Sequence, residues 1–170
     1  MATVTIPELN ALPPPRFRDI LAGIYENSPW VAEAVASQRP FDGIAQLHAA
    51  MARAVAAAPR QARLDLLRAH PDLAGREARD GALTAASTAE QKSAGLDRLT
   101  REQMQTIARN NEAYRKRFGF PFIICVRNHD QAGIFAAFER RLANDIEAEF
   151  ETAVREVHEI ARLRLETLIA

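Results

Sequence analysis

The sequence predicts an all-α fold, a compact helical bundle forming a single domain over residues 1–170, with one buried extended segment at about 120–126. Three observations carry that prediction. Only seven glycines stand among abundant Ala, Leu, Arg and Glu, a composition that favours helix on propensity. Apolar residues recur at helical spacing in several stretches. Short polar residues followed three positions later by Glu or Gln mark repeated helix starts.

In chain order, "RFRDILAGIYEN" follows the loop "LPPP" and places Phe17, Ile20, Leu21 and Ile24 on one stripe. A second start lies in "SPW", where Ser28 can cap and Pro29 suits the first helical position. The stretch "FDGIAQLHAAMARAVAAAP" aligns Ile44, Leu47, Met51 and Val55, and Pro59 closes it. A shorter helix, "PRQARLDLLRAH", runs into Pro71, and "GREARDGALTAAS" reads as an exposed loop. Capping boxes at Ser87 with Glu90, Thr100 with Gln103, and Asn144 with Glu147 each predict a helix start. Between the last two, "FGFPFIICVRN" is dense in aromatic and β-branched residues and holds Pro121, so it is extended. With no strand partner in the sequence, its backbone polar groups need other partners, and a ligand is one candidate.

Charge and cysteine usage narrow the function. The 22 Lys and Arg balance the 22 Asp and Glu without a run of one sign, which disfavours nucleic acid and membrane surfaces as partners. A small neutral ligand or a single local anion site remains open. Cys125 is the lone cysteine, so no internal disulfide can form and a reducing compartment fits. Without a signal-like N-terminus or a long apolar span, the sequence reads as a soluble intracellular protein.

Four places could carry chemistry. On the final helix, Ile146, Phe150, Val154, Val157, Ile160, Ala161 and Leu168 share one face, with Arg164 in its middle and Arg162 opposite. A guanidinium there needs an internal carboxylate or a bound anion, unless it snorkels from the edge of the stripe. His70 stands at a helix end before a proline, a position that directs it out of the helix. The helix terminus favours its imidazolium and burial opposes it, a balance that suits a general acid or base; capping the helix dipole is the simpler role. His48, His70, His129 and His158 show no metal-ligand spacing. Ser87 and Glu90 are accounted for as a cap, although a helix start also offers backbone N–H groups to an anion or carbonyl. Cys125 reads as a small buried apolar residue.

Taken in order, "YENSPW", "RPF", "AHPDLAG", "STAEQKSAGLD", "NNEAYRKRFGFPFIICV" and "IARLRLETL" resemble the family of 2-oxo-4-hydroxy-4-carboxy-5-ureidoimidazoline (OHCU) decarboxylases across nearly the whole chain. The resemblance implies an all-helical enzyme of urate breakdown that works without a cofactor or metal, forms a homodimer, and yields (S)-allantoin and carbon dioxide. It places the catalytic histidine on His70, its acidic partner on Glu90 and a C-terminal arginine on Arg164, the residue that the helical wheel singles out independently. Substrate-contacting positions fall on Pro71, on Ser87, Thr88, Ala89 and Gln91, and on Phe122, Ile123, Ile124, Cys125 and Val126, the last group through its backbone. The C-terminal "LIA" lacks the peroxisomal tripeptide of eukaryotic relatives, so a cytoplasmic location is expected. The alternative is a helical ureide-binding or interaction module without catalysis, in which His70 and Glu90 are caps and Arg164 pairs internally.

Overall fold

A computed structural model of the protein describes residues 3–170. In it the helices run α1 (Ile6–Ala11), α2 (Pro14–Leu21), α3 (Trp30–Val35), α4 (Ile44–Ala57), α5 (Arg60–Arg68), α6 (Arg76–Arg79), α7 (Ala85–Ser93), α8 (Arg101–Phe118), α9 (Gln131–Leu142) and α10 (Ile146–Leu168). Three short 3-10 turns, Ala36–Gln38, Leu96–Arg98 and Val126–Asn128, complete the regular structure among the described residues. The expected all-α class is thus what the chain adopts. The chain forms two compact units, one of Met1–Ala69 with His158–Ala170 and one of His70–Val157, so α10 contributes to both.

In the first unit, Phe17, Leu21, Val31, Val35, Leu47, Met51 and Val55 are buried with Ala161 and Leu165 of α10; of the expected stripes Ile20, Ile44, Ile160 and Leu168 are only half-buried, and the fully buried Leu165 was not read among them. Helix α1 was not read from the sequence. It begins with a capping box in which the Thr5 N–H donates to Glu8 Oε2 at 2.8 Å, and Val4 pairs in parallel with Ile169 beside it. Helix α3 starts at Trp30, and Ser28 donates its hydroxyl to the Glu26 carbonyl at 3.0 Å instead of capping.

A small polar cluster sits in this unit around α10. Tyr25 Oη and His158 Nδ1 share a 2.8 Å hydrogen bond, and His48 Nε2 donates to the His158 carbonyl at 2.8 Å. Burial, reinforced by the nearby His48, pushes the His158 imidazole down to about 4, while burial raises the Tyr25 hydroxyl above its ordinary range. A histidine depressed from 6.5 binds fewer protons folded than unfolded between those two values. Its stabilising contribution is complete above pH 6.5 and is lost as the pH falls toward about 4. Urea midpoints should therefore fall between about pH 7 and about pH 4.5 in the wild type and fall less in His158→Gln. Equal falls in both proteins would contradict this.

The second unit buries Leu73, Ile107, Tyr114, Phe118, Phe120, Phe122, Phe138 and Phe150, with Phe122 stacked on Phe138 at 3.9 Å between ring centroids. Helix α8 starts with the expected box, Thr100 N–H to Gln103 Oε1 at 2.9 Å, and ends at Gly119, whose φ of 80° suits glycine. Three expectations are corrected in this unit. Helix α10 is capped by Asp145, which accepts from the Ala148 N–H at 2.9 Å, while Asn144 turns its amide to Glu149. Ile146, expected on the core face, is exposed because it sits in the first turn, before the helix meets the core. The segment "GREARDGALTAAS" is not wholly loop, since it contains the short α6 and the start of α7.

Candidate active site

His70 lies just past α5, which ends at Arg68 with Ala69 as its C-cap, so the histidine leaves the helix as its following proline requires. It is buried, and Pro71 beside it is half-buried. The loop that follows is held at each of the next three residues. Asp72 pairs with Arg115 Nε of α8 at 2.8 Å, the Leu73 carbonyl accepts from Asn111 Nδ2 at 3.0 Å, and the Ala74 N–H donates to Gln91 Oε1 at 2.9 Å. Ala74 has a φ of 46°, a left-handed conformation that a non-glycine residue holds only when its surroundings enforce it. A Cβ on Gly75 would lie 2.7 Å from Asp72 Cβ, so the tight return of the loop needs glycine there. The loop that follows His70 is therefore anchored within its unit to both α7 and α8.

Helix α7 starts earlier than expected. Thr84 is its N-cap and accepts from the Ser87 N–H at 3.2 Å, and the Thr88 N–H donates to the Thr84 carbonyl at 2.9 Å. Ser87 is consequently in the first turn and is not the cap. Threonine three positions upstream does the same job and leaves Ser87 to be buried. The N–H groups of Ser87 and Thr88 thus have partners inside the helix. Burial follows the helical period: Ser87 and Gln91 are buried, Glu90 is half-buried, and Thr88 and Ala89 are exposed. Thr88 also donates its hydroxyl to the Thr84 carbonyl at 2.9 Å. Helix α7 packs on the turn Val126–Asn128, which follows the extended segment.

That segment is buried and non-helical from Pro121 to Cys125, and Val126 opens a 3-10 turn. Two of its backbone groups are met by protein side chains. Arg141 Nη1 donates to the Ile123 carbonyl at 2.7 Å, and the Cys125 N–H donates to Glu156 Oε2 at 2.7 Å. Arg141 is itself held over the Phe122 ring at 4.4 Å and paired with Glu149 at 2.6 Å. Glu149 is fully buried and also accepts from Asn144 Nδ2 and from the Tyr114 hydroxyl. Burial first, then the Glu149 contact, raises the Tyr114 hydroxyl well above its usual range, so it stays protonated and donates. Phe122, Ile123, Ile124 and Cys125 are thereby fixed by a network of Tyr114, Arg141, Asn144, Glu149 and Glu156.

Arg164 belongs to the other unit. The helical wheel is right about its burial, and its Nη1 pairs with Glu26 Oε2 at 2.7 Å and donates to the Gly23 carbonyl at 3.0 Å. An internal carboxylate is thus present. Arg162 points away and pairs with Glu159 and Glu166, both at 2.5 Å. Glu26, Glu149, Glu156 and Arg141 were not read from the sequence, because each finds its partner at a distance along the chain that no local pattern encodes. Among the described residues, no group of three His, Cys, Asp or Glu side chains is placed to hold a metal ion, and no helix is long and apolar enough to cross a membrane.

Comparison with known proteins agrees with the sequence resemblance. The family model described as OHCU decarboxylase matches residues 10–166. A 2-oxo-4-hydroxy-4-carboxy-5-ureidoimidazoline decarboxylase of Haloferax volcanii is 49% identical over 97% of this chain and 96% of its own length. One from Mus musculus is 40% identical over 95% of this chain and 91% of its own. Among solved structures, an (S)-allantoin synthase superposes with a TM-score of 0.79 at 34% identity, covering 98% of this chain and 54% of the longer one. An OHCU decarboxylase crystallised in the presence of (S)-allantoin shares the fold, with a TM-score of 0.71 at 23% identity.

Proposed function

Because the chain belongs to the OHCU decarboxylase family, we propose that it converts 2-oxo-4-hydroxy-4-carboxy-5-ureidoimidazoline to (S)-allantoin and carbon dioxide in urate degradation. The observation that carries this reading is the anchored loop bearing a buried His70, in a chain matched nearly end to end by decarboxylases.

The substrate holds a hydroxyl and a carboxylate on one ring carbon, beside an imine carbon. As the bond to the carboxylate breaks, its electron pair forms a double bond to the former imine carbon and the imine nitrogen takes up a proton. The substrate is its own electron sink, so the reading calls for no pyridoxal phosphate or metal. The hydroxyl then loses its proton as the carbonyl forms, and a proton added to the neighbouring carbon from one face sets the configuration. His70 handles the hydroxyl proton and takes part in that later delivery. Glu90 orients the imidazole and accepts from ureido N–H groups, and Ser87 adds to that recognition. Gln91, whose amide oxygen already holds Ala74, acts first on the His70 loop. Phe122 to Val126 supply an apolar wall that limits water at the reacting carbon.

Arg164 orients the substrate carboxylate. Holding that group tightly would stabilise the ground state, since its charge leaves with carbon dioxide, so the benefit lies in turning the carboxylate out of the ring plane. Substrate is made in place from urate with urate oxidase and hydroxyisourate hydrolase, and its disappearance is followed. The wild type accelerates it over the no-protein control; no acceleration would overturn the assignment. Arg164→Lys raises KM by roughly tenfold, because a point charge does not reproduce a planar fork. Unchanged kinetics would make the arginine structural. The internal Glu26 contact is what a binding module without catalysis would also show, and the same assay separates the two readings. A homodimer in the cytoplasm completes the proposal, supported by the family resemblance and by the lone buried Cys125.

A further inference from the structure

Glu26 is buried, yet it stands in an irregular turn where acidic residues normally face water. Three features pin it. Its carbonyl accepts from the Ser28 hydroxyl at 3.0 Å, the next residue, Asn27, has a left-handed φ of 46°, and its carboxylate pairs with Arg164 at 2.7 Å. The same turn is tied on either side. Tyr25 bonds His158 of α10, and Asn27 Nδ2 donates at 3.3 Å to the carbonyl of Ala69, the residue that precedes His70. Three consecutive side chains of "YENSPW" thus reach α10 twice and the peptide before the candidate catalytic histidine once.

We propose that Glu26 is a positioning residue that acts through Arg164, aiming the guanidinium and offsetting its charge so that the substrate carboxylate is oriented without being gripped. The inference rests on the reading of Arg164 as the carboxylate-orienting group. It answers the tension in that reading. A lone buried guanidinium in a low-dielectric site would bind a carboxylate strongly in the ground state and slow its loss. A carboxylate already 2.7 Å from Nη1 reduces the pull on a second anion while holding the fork in one orientation. A purely structural ion pair would lower stability when one partner is removed and leave the kinetic constants alone.

The test compares Glu26→Gln, which keeps shape and removes charge, with Glu26→Asp, which keeps charge and withdraws it by one methylene. Melting curves are recorded for both. With the offsetting charge gone, Glu26→Gln lowers KM about fivefold and kcat about tenfold or more, and tightens binding of a carboxylate-bearing ureide analogue such as allantoate. Binding of neutral allantoin stays within twofold of wild type. Glu26→Asp returns the allantoate affinity to the wild-type value while kcat stays low, since the fork is drawn off its position. A lowered melting temperature in Glu26→Gln with wild-type kcat and KM would overturn the proposal, as would equal changes in allantoate and allantoin affinity. Should Glu26→Gln fail to fold, wild-type kcat in Glu26→Asp would overturn it. Arg164→Lys, measured alongside, separates the two claims. A raised KM there with unchanged Glu26 variants overturns only the role of Glu26, whereas unchanged kinetics in all three variants removes the role of Arg164 as well.

Discussion

His70→Asn lowers kcat by about two to four orders of magnitude, the span that a positioned acid–base group contributes, while the affinity for allantoin changes by no more than a few fold. The asparagine side chain keeps a planar polar group at the start of a loop that has anchors of its own. Asp72, Leu73 and Ala74 remain tied to Arg115, Asn111 and Gln91. Binding should survive and proton transfer should not. Isothermal titration with allantoin, paired with single-turnover decay of substrate made in place, gives both quantities. Normal turnover with tight binding would remove His70 from the chemistry and return it to capping α5.

The largest stability effect is expected at Glu149. Truncation to alanine leaves the buried Arg141 guanidinium, the Tyr114 hydroxyl and the Asn144 amide without their common acceptor. Breaking a buried pair by removing one partner costs about 3–5 kcal/mol, because an uncompensated charge stays behind. Urea unfolding of Glu149→Ala measures this, and a loss below about 1 kcal/mol would show that Arg141 finds another anion or water. Arg141 also carries the Ile123 carbonyl and covers the Phe122 ring, so its displacement releases the extended segment. Activity of Glu149→Ala should fall with stability, whereas His70→Asn loses activity and keeps its stability.

Much of the helical framework was legible because capping and periodicity are local. Thr100 with Gln103 acts as the box it resembles, and Pro59 and Pro71 bound α5 as expected. The misplaced starts of α7 and α10 have one cause: more than one nearby residue could cap, and tertiary contacts chose between them. Thr84 takes the cap of α7 and frees Ser87 for burial; Asp145 takes that of α10 because Asn144 is drawn to Glu149. Helices α1, α6 and α9 were missed although α1 and α9 carry caps, Thr5 and Asp130, ahead of them.

The candidate site divides along the same line. Arg164 was visible because a charge on an apolar stripe stands out within one helix, and the segment around Pro121 was visible because its β-branched run conflicts with its helical surroundings. Glu26 was hidden, since a glutamate between a tyrosine and an asparagine looks like any solvated turn until the fold carries Arg164 to it. Arg141 and Glu156 were hidden for the same reason. The demand of the extended backbone for partners was legible, and their identity was not.

The proposed reaction requires this chain to control both the loss of carbon dioxide and the face on which the ring carbon is protonated. Circular dichroism of the allantoin formed from urate, oxidase and hydrolase tests it most directly, with the wild type run beside His70→Ala and a control without protein. Rapid formation of the (S) enantiomer alone is expected in the wild type, and slow formation of racemic product in the other two. Racemic allantoin at the uncatalysed rate in the presence of the wild-type protein would contradict it.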